Sequence, residues 1–264
     1  MADPLLVERA GAVVTLTFNR PDSLNSLNTA LKAALRDTLE SLTSDRSYRA
    51  VVLTGAGGRA FCVGQDLREH VETLASATAD PLGTVLNYYN PITTMLATLD
   101  RPVVAAVRGM AAGAGASLAM LCDFRVGGPK TAFLMAFANV GLAGDTGASW
   151  TLPRLVGHAK ATELLMLAEP VPADEALRLG LLTRLVDDDE KVLPAAQELA
   201  ARLAAGPTVA YGQIKRQLAI GGSGTLAEAL DAELQAQRIS GDTRDHREAT
   251  AAFVRKERPT FEGR

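Results

Sequence analysis

The sequence is poor in the residues that build metal sites, disulfide frameworks and membrane spans. Its 264 residues include two cysteines and three histidines. Cys62 and Cys122 sit in apolar or glycine-rich surroundings, and no second cysteine lies at metal-ligand spacing. Both are expected to be small, reduced core residues without a disulfide. His70, His158 and His246 are scattered and form no His-x-x-x-His pair, so no metal site is expected. No stretch reaches the roughly 20 apolar residues that span a bilayer. The N-terminal Met1-Ala2-Asp3-Pro4 lacks the basic region and apolar core of a signal peptide, which makes cytoplasmic residence the expectation. Basic residues are not in excess either: 27 Lys and Arg stand against 30 Asp and Glu, for a net charge of -3. That balance offers no basic footprint for nucleic acid.

What is present is a pair of glycine-rich stretches, each following a β-branched apolar run. Val51-Val52-Leu53 precedes Ala60-Phe61-Cys62-Val63-Gly64-Gln65-Asp66-Leu67. Val103-Val104-Ala105-Ala106-Val107 precedes Gly109-Met110-Ala111-Ala112-Gly113-Ala114-Gly115-Ala116-Ser117. Each reads as a turn leaving a buried strand, with small residues that let a ligand approach the main chain. Two such turns can aim two backbone N–H groups at one carbonyl oxygen, forming an oxyanion hole for an enolate or a tetrahedral oxyanion. They can equally be plain tight turns. A dinucleotide-binding loop fits poorly, because Leu118 stands where the third glycine of G-x-G-x-x-G belongs and Asp123 comes too early to reach a ribose.

Along the chain, Val7 to Phe18 reads as two strands around Ala10-Gly11, with Val14, Leu16 and Phe18 alternating with threonines. Asn28 caps a helix running to about Thr43, with Leu31, Leu35, Leu39 and Leu42 on one face. After the strand at 51–54 comes an excursion from Asp66 to Asp100, in which 70–80 is polar and alanine-rich. It is either a mobile helix or loop near a binding site or a solvated connection. The strand at 103–107, a short apolar helix from Gly113 to Leu121 and a strand at 123–126 imply an α/β core. From Ala173 the pattern turns helical, with Pro207 in a first turn and Gly221-Gly222-Ser223-Gly224 as a break.

The two stretches, their order and their separation resemble the crotonase (enoyl-CoA hydratase/isomerase) superfamily. The likeness runs from Leu16-Thr17-Phe18-Asn19-Arg20-Pro21 and Asn25-Ser26-Leu27-Asn28 to Phe253–Phe261, nearly the whole chain. Leu53–Gly57, Phe61–Leu67, Tyr89-Asn90-Pro91, Ala111–Ala116, Met135-Ala136-Phe137 and Gly141–Gly147 are most similar to the branch that isomerises the ring-epoxide of phenylacetyl-CoA. The resemblance implies an α/β spiral of β-β-α units over residues 1–200, carrying an acyl-CoA site. Residues 201–264 would form a C-terminal helical region that makes trimers, often paired into hexamers. Coenzyme A would enter as part of the substrate, with no separate cofactor.

By the same resemblance the oxyanion donors are the N–H groups of Val63 and Ala114, and Gly113 opens the second turn. Asn25, Leu27, Ala60 and Gln65 lie along the adenine and pantetheine path, with Asp66 and Leu67 near the thioester end. Arg20, Lys256 and Arg258 approach the phosphates, Lys256 from a neighbouring subunit. At the two positions where hydratases carry glutamates this chain has Ser117 and Phe137, neither of which can act as a carboxylate base. Asp145, in an uncharged glycine-rich stretch, either shuttles a proton or caps the helix leading to Trp150 and Leu152. Phe137, Tyr88, Tyr89 and Trp150 either line an acyl pocket able to take an aromatic ring or are plain core. Asn139 is either a second polar candidate or a side chain that bonds main chain. The expected function is an acyl-CoA isomerase, acting on a 3-enoyl-CoA or the ring-epoxide. The alternatives are a 2-enoyl-CoA hydratase and a non-catalytic acyl-CoA-binding scaffold.

Overall fold

The chain opens with a hairpin, Leu5–Ala10 (β1) against Val13–Phe18 (β2), in the structure, a computed structural model that describes residues 3–76 and 80–264. Asn28 then starts Thr29–Ser44 (α1), its side chain accepting from the Leu31 N–H at 3.0 Å. That bond satisfies one of the donors a helix leaves unpaired at its N-terminus. Leu31, Leu35, Leu39 and Leu42 form the buried face, as their spacing predicts, and Lys32 is buried with them.

From here the chain repeats one manoeuvre: a strand enters one sheet, the next short strand enters a second, and helix follows. Ala50–Gly55 (β3) and Ala60–Cys62 (β4) lead to Leu67–Leu74 (α2), a π-helical turn Val85–Tyr89 and Asn90–Thr98 (α3). Val103–Val107 (β5) and Met110–Ala112 (β6) lead to Ala114–Leu121 (α4). Phe124–Gly127 (β7) and Ala132–Leu134 (β8) lead to Ala148–Val156 (α5) and His158–Leu167 (α6). Val171–Pro172 (β9), Ala173–Arg178 (α7) and Arg184–Leu185 (β10) complete the winding. The larger sheet has the order β1-β2-β3-β5-β7-β10 and is parallel apart from the hairpin. The smaller has the order β4-β6-β8-β9 and is parallel apart from β9. This is the expected spiral of β-β-α units.

Residues 50–53 of β3 and the whole of β5 are apolar because both faces of their sheet are covered. Val51, Leu53, Val103, Ala105 and Val107 face the main core with α1. Ala50, Val52, Val104 and Ala106 face the other way, onto Ala195, Ala196, Ala200 and Ala204 of Val192–Ala204 (α8). All eight residues of α4 are buried, which their small size permits. Thr208–Gly221 (α9), Leu226–Gly241 (α10) and Arg244–Val254 (α11) follow as the C-terminal helical region. Its anchor on the core is polar: Lys215 on α9 pairs with Asp123 at 2.9 Å and donates to the Arg101 carbonyl at 3.0 Å.

Cys62 and Cys122 are buried free thiols, and burial pushes each up to about 12, where the thiolate is scarce. Among the described residues no helix is long and apolar enough to cross a membrane. The reading of 70–80 as a mobile segment falls in part on residues 77–79, which lie outside the described residues; α2 occupies the part up to Leu74. Leu35 is fully buried among the α1 leucines, so Leu35→Ala should cost roughly 2–5 kcal/mol. Urea unfolding followed by circular dichroism checks this, and a loss below about 1 kcal/mol would show that the core collapses around the gap.

Candidate active site

The two glycine-rich turns meet main chain to main chain. A β-carbon on Gly64, at φ +84, would lie 2.9 Å from the Ala112 carbonyl oxygen and 3.1 Å from the Ala114 nitrogen. One on Gly115 would lie 2.1 Å from the Cys62 carbonyl oxygen. Only glycine fits at either position. The segment Cys62–Gly64 is thereby pressed against the N-terminus of α4. Ala114 is the first residue of that helix, and its N–H belongs to the set that has no intrahelical acceptor. Gly113 precedes it at φ +49, with no atom within 4 Å of where its β-carbon would point. The space above the helix end is therefore open, and the helix dipole favours negative charge there.

Other residues hold this frame. Asn25 is fully buried; its Nδ2 donates to the carbonyls of Ala56 and Ala60, at 3.0 and 2.9 Å, and its Oδ1 accepts from the Arg20 N–H at 3.0 Å. The Leu27 N–H donates to the Gly64 carbonyl at 2.7 Å, and the Leu27 carbonyl accepts from the Asp66 N–H at 3.2 Å. The Leu27 side chain is in the core. Asp66 caps α2 by accepting from the N–H groups of Arg68 and Glu69, and it pairs with Arg20 at 2.9 Å. Burial alone would raise its carboxyl, but bonds from Arg20, Glu69 and Ser26 outweigh it and hold the carboxyl below the usual carboxylate range. The Arg20 guanidinium also donates to the Ser26 carbonyl and hydroxyl, so it is engaged within the fold. Ala60 is buried in β4, whereas Leu67, first in α2, is 53% exposed. Lys256 is exposed beyond the end of α11 in left-handed backbone at φ +59.

Asp145 comes to the same helix end by its main chain. The Ser117 hydroxyl donates to the Asp145 carbonyl at 3.3 Å, and Ser117 lies one turn along α4 from Ala114. The carboxylate is half-buried and accepts from the Thr146 hydroxyl at 2.9 Å. Burial raises the Asp145 carboxyl above its ordinary value, with the Thr146 bond and the charge of Lys32 partly offsetting that. The helix-cap alternative is corrected. Gly147, in left-handed backbone at φ +76, occupies the N-cap of α5 without a side-chain cap, and Asp145 receives the Ala148 N–H on its carbonyl instead. Phe137 is buried beside Gly144, and Tyr89 is buried in the main core with Tyr88 packed against it. Trp150 departs from expectation. Ala148, Thr151 and Leu152 form the inner face of α5, which leaves Trp150 42% exposed with the Arg154 guanidinium 4.2 Å over its ring. Asn139 is exposed in the short turn Ala138–Val140.

Residues 8–264 match the family model for enoyl-CoA hydratase/isomerase. The chain belongs to the enoyl-CoA hydratase/isomerase family. It is 40% identical over 252 residues to the 1,2-epoxyphenylacetyl-CoA isomerase of Escherichia coli K12, covering 96% of this chain and 95% of that one. It is 32% identical over 252 residues to the short-chain-enoyl-CoA hydratase of Clostridium acetobutylicum, covering 96% and 95%. A solved structure from Streptomyces coelicolor A3(2), described provisionally as an enoyl-CoA hydratase, superimposes with a TM-score of 0.93 at 41% identity, covering 99% of this chain and 94% of that one. Both hydratase and isomerase names thus occur among relatives of similar length within the family.

One residue of this enoyl-CoA hydratase/isomerase site escapes the motif reading. Lys32 is 2% exposed, and its ammonium donates to Gln65 Oε1 at 3.1 Å and Thr84 Oγ1 at 2.7 Å. The Tyr89 hydroxyl donates to the same Gln65 oxygen at 2.5 Å. The available signal was positional: Lys32 stands three residues before Leu35 and seven before Leu39, on the buried stripe of α1. The raised carboxyl of Asp145 carries its own test. The folded chain holds that proton more tightly than the unfolded chain, so the ionised form costs stability above the folded pKa, and the cost disappears as pH falls through it. Asp145→Asn should raise the melting temperature at pH 7, with the gain shrinking as pH falls. Calorimetry showing a loss at pH 7 would mean that the carboxylate is a structural partner.

Proposed function

We propose that the chain is an acyl-CoA isomerase, acting on a 3-enoyl-CoA or on the ring-epoxide of phenylacetyl-CoA. Coenzyme A enters as part of the substrate, and no other cofactor takes part. The thioester oxygen sits between the N–H groups of Val63 and Ala114, which stabilise the charge of the enolate as it forms. Asp145 takes a proton from the α-carbon, and the resulting dienolate is reprotonated by Asp145 at the γ-carbon. No water is consumed. With the epoxide, the same hole holds the thioester while the ring opens to an oxepin, and Asp145 again moves the proton.

One observation carries this reading. The Ser117 hydroxyl, standing where a hydratase glutamate is expected, bonds the Asp145 carbonyl and ties that residue to the oxyanion helix. With Phe137 at the second glutamate position, Asp145 is the carboxylate tied to this helix end. Its raised affinity for protons suits a group that must both take and return one. We also place Asn25, Leu27, Ala60, Gln65 and Leu67 along the coenzyme A path, mostly through main chain, and Lys256 against a phosphate of a neighbouring subunit. The protein is assigned to the cytoplasm.

Turnover of 3-hexenoyl-CoA and trans-2-hexenoyl-CoA, measured side by side, tests the assignment. Wild type should shift the double bond, and Asp145→Asn should lose that activity by roughly 10²–10⁴-fold while still binding acyl-CoA. Dominant hydration that survives the substitution would make the protein a hydratase, and binding without turnover of either would make it a scaffold.

The assembly is proposed as a trimer, or a pair of trimers, built through residues 201–264. The support is apolar surface: Leu218, Leu226, Leu230, Phe253 and Val254 of the C-terminal helices are each more than half exposed. Light scattering should give three or six times the 27.7 kDa chain mass, and a monomer at all dilutions would count against it.

A further inference from the structure

Helix α11 is held to the rest of the fold by hydrogen bonds more than by apolar packing. Of its 11 residues only Asp245 and Ala252 are buried. A carboxylate is costly to bury unless its oxygens are bonded. Asp245, in the first turn of α11, is 4% exposed and accepts from the Glu262 N–H at 2.6 Å and the Gly263 N–H at 2.8 Å. Its own N–H donates to the main-chain oxygen of Arg264 at 3.0 Å. The segment 257–264 thus leaves the end of α11 and returns to its beginning.

Arg49, just before β3, joins that segment to the core. Its guanidinium donates to the Phe261 carbonyl at 2.8 Å, to the Gly206 carbonyl at 2.5 Å and to Thr208 Oγ1 at 2.8 Å. Gly263 lies against the same group at φ +81, where a β-carbon would come within 3.1 Å of both Arg49 Nε and Thr208 Oγ1. Arg49 therefore fastens segment 257–264 and the start of α9 at one point, and Asp245 fastens α11 to that segment.

At the opposite end of α11 the chain turns at Lys256. The Lys256 N–H donates to the Phe253 carbonyl at 3.0 Å and the Glu257 N–H to the Ala252 carbonyl at 2.9 Å. These two bonds close a helix through one left-handed residue, a place usually taken by glycine. Here it is a lysine at φ +59, which its side chain makes unfavourable. A cation suits the negative end of a helix, but an exposed lysine anywhere in the last turn would supply that without strain. Such an outlier points to a use for the side chain itself. Arg255 beside it is paired with Glu257 at 2.8 Å, so Lys256 is the unengaged cation of the two.

We propose that Asp245 and Arg49 are positioning residues for coenzyme A: by fastening segment 257–264 they hold α11, and so hold Lys256 where it meets a phosphate of the coenzyme A bound in a neighbouring subunit. This rests on the reading of Lys256 given above. Loosening the latch lets the end of α11 shift against the core, and the loss falls on ligands that carry the phosphates.

The test is the affinity for hexanoyl-CoA and for hexanoyl-pantetheine, which has no phosphate, measured by displacement titration. Lys256→Ala should weaken hexanoyl-CoA binding by about tenfold. Asp245→Asn removes one of the two acceptors, and Gly263→Val forces the segment away from Arg49. Each should weaken hexanoyl-CoA by about threefold or more and leave hexanoyl-pantetheine at the wild-type value. Asp245→Asn combined with Lys256→Ala should lose no more than Lys256→Ala alone, because the latch acts through the lysine. If Asp245→Asn fails to fold, Gly263→Val decides, since it keeps the buried carboxylate. Unchanged hexanoyl-CoA affinity in the folded latch variant, or an equal loss on both ligands, overturns the proposal. Unchanged affinity in Lys256→Ala is a different failure: it removes the reading of Lys256 itself and leaves the latch nothing to position.

Discussion

Between Cys62 and Gly115 there is no room for a single methyl group: a β-carbon at residue 115 would meet the Cys62 carbonyl oxygen at 2.1 Å. This approach of two backbones is the constraint on which the rest of the site depends. It exists because successive β-β-α units place β4 and β6 side by side in the smaller sheet, so that the turns leaving them emerge next to each other. Residues farther away serve the same approach. Asn25 draws the 20–25 and 56–60 segments together, and Leu27 pairs with Gln65 on the outer side of the turn. A site made of main chain tolerates almost any side chain pointing away from it, so a valine at 63 is compatible with the donor role proposed for its N–H.

Three charged groups sit in or beside this frame, and their hydrogen bonds separate them by task. The Asp66 carboxylate accepts from Arg20, Ser26 and two helix N–H groups. Every lone-pair direction is in use, the proton affinity is lowered, and the group is fixed as a cap and ion-pair partner. The Asp145 carboxylate accepts from one neighbouring hydroxyl, and burial raises its proton affinity. It has fewer partners than Asp66, as a group proposed to exchange a proton requires. Lys32 carries the opposite charge without neutralising either carboxylate directly. Burying charges this loosely partnered lowers stability, and such groups are retained mainly where chemistry uses them.

Most of the fold was legible because local and global preferences agree. The apolar runs at 51–53 and 103–107 are strands buried on both faces, and Asn28 caps α1 at the residue where polarity gives way to leucine spacing. From 173 onward the chain is largely helical as expected, and the Gly-rich break at 221–224 separates α9 from α10. What stayed illegible depends on phase and tertiary contact. Asp145 has the residue type of a cap, yet the left-handed backbone at Gly147 moves the helix start two residues on. Trp150 reads as pocket or core by residue type, and the rotation of α5 that turns Ala148, Thr151 and Leu152 inward takes it out of the core. Lys32 belongs to no motif, and Gln65, Thr84 and two tyrosines close over it from segments 33 to 57 positions away in sequence.

Family members that bear hydratase and isomerase names share this backbone frame, so the frame cannot choose between reactions. If the oxyanion donors are main-chain groups, the choice falls to a few side chains around them, and those can change without disturbing the hole. By the family resemblance, a carboxylate at 117 would stand beside the reacting carbons and hold water there. A serine at 117 is too short for that task, and its hydroxyl turns instead to the Gly113 and Asp145 carbonyls. The same substitution that removes one acid thus secures the segment that carries another. On the same reading Phe137, buried beside Gly144, puts a ring at the second hydratase position in place of an acid. On the isomerase reading proposed above, hydration and isomerisation differ by where one carboxylate is anchored, and in this chain that carboxylate would be Asp145.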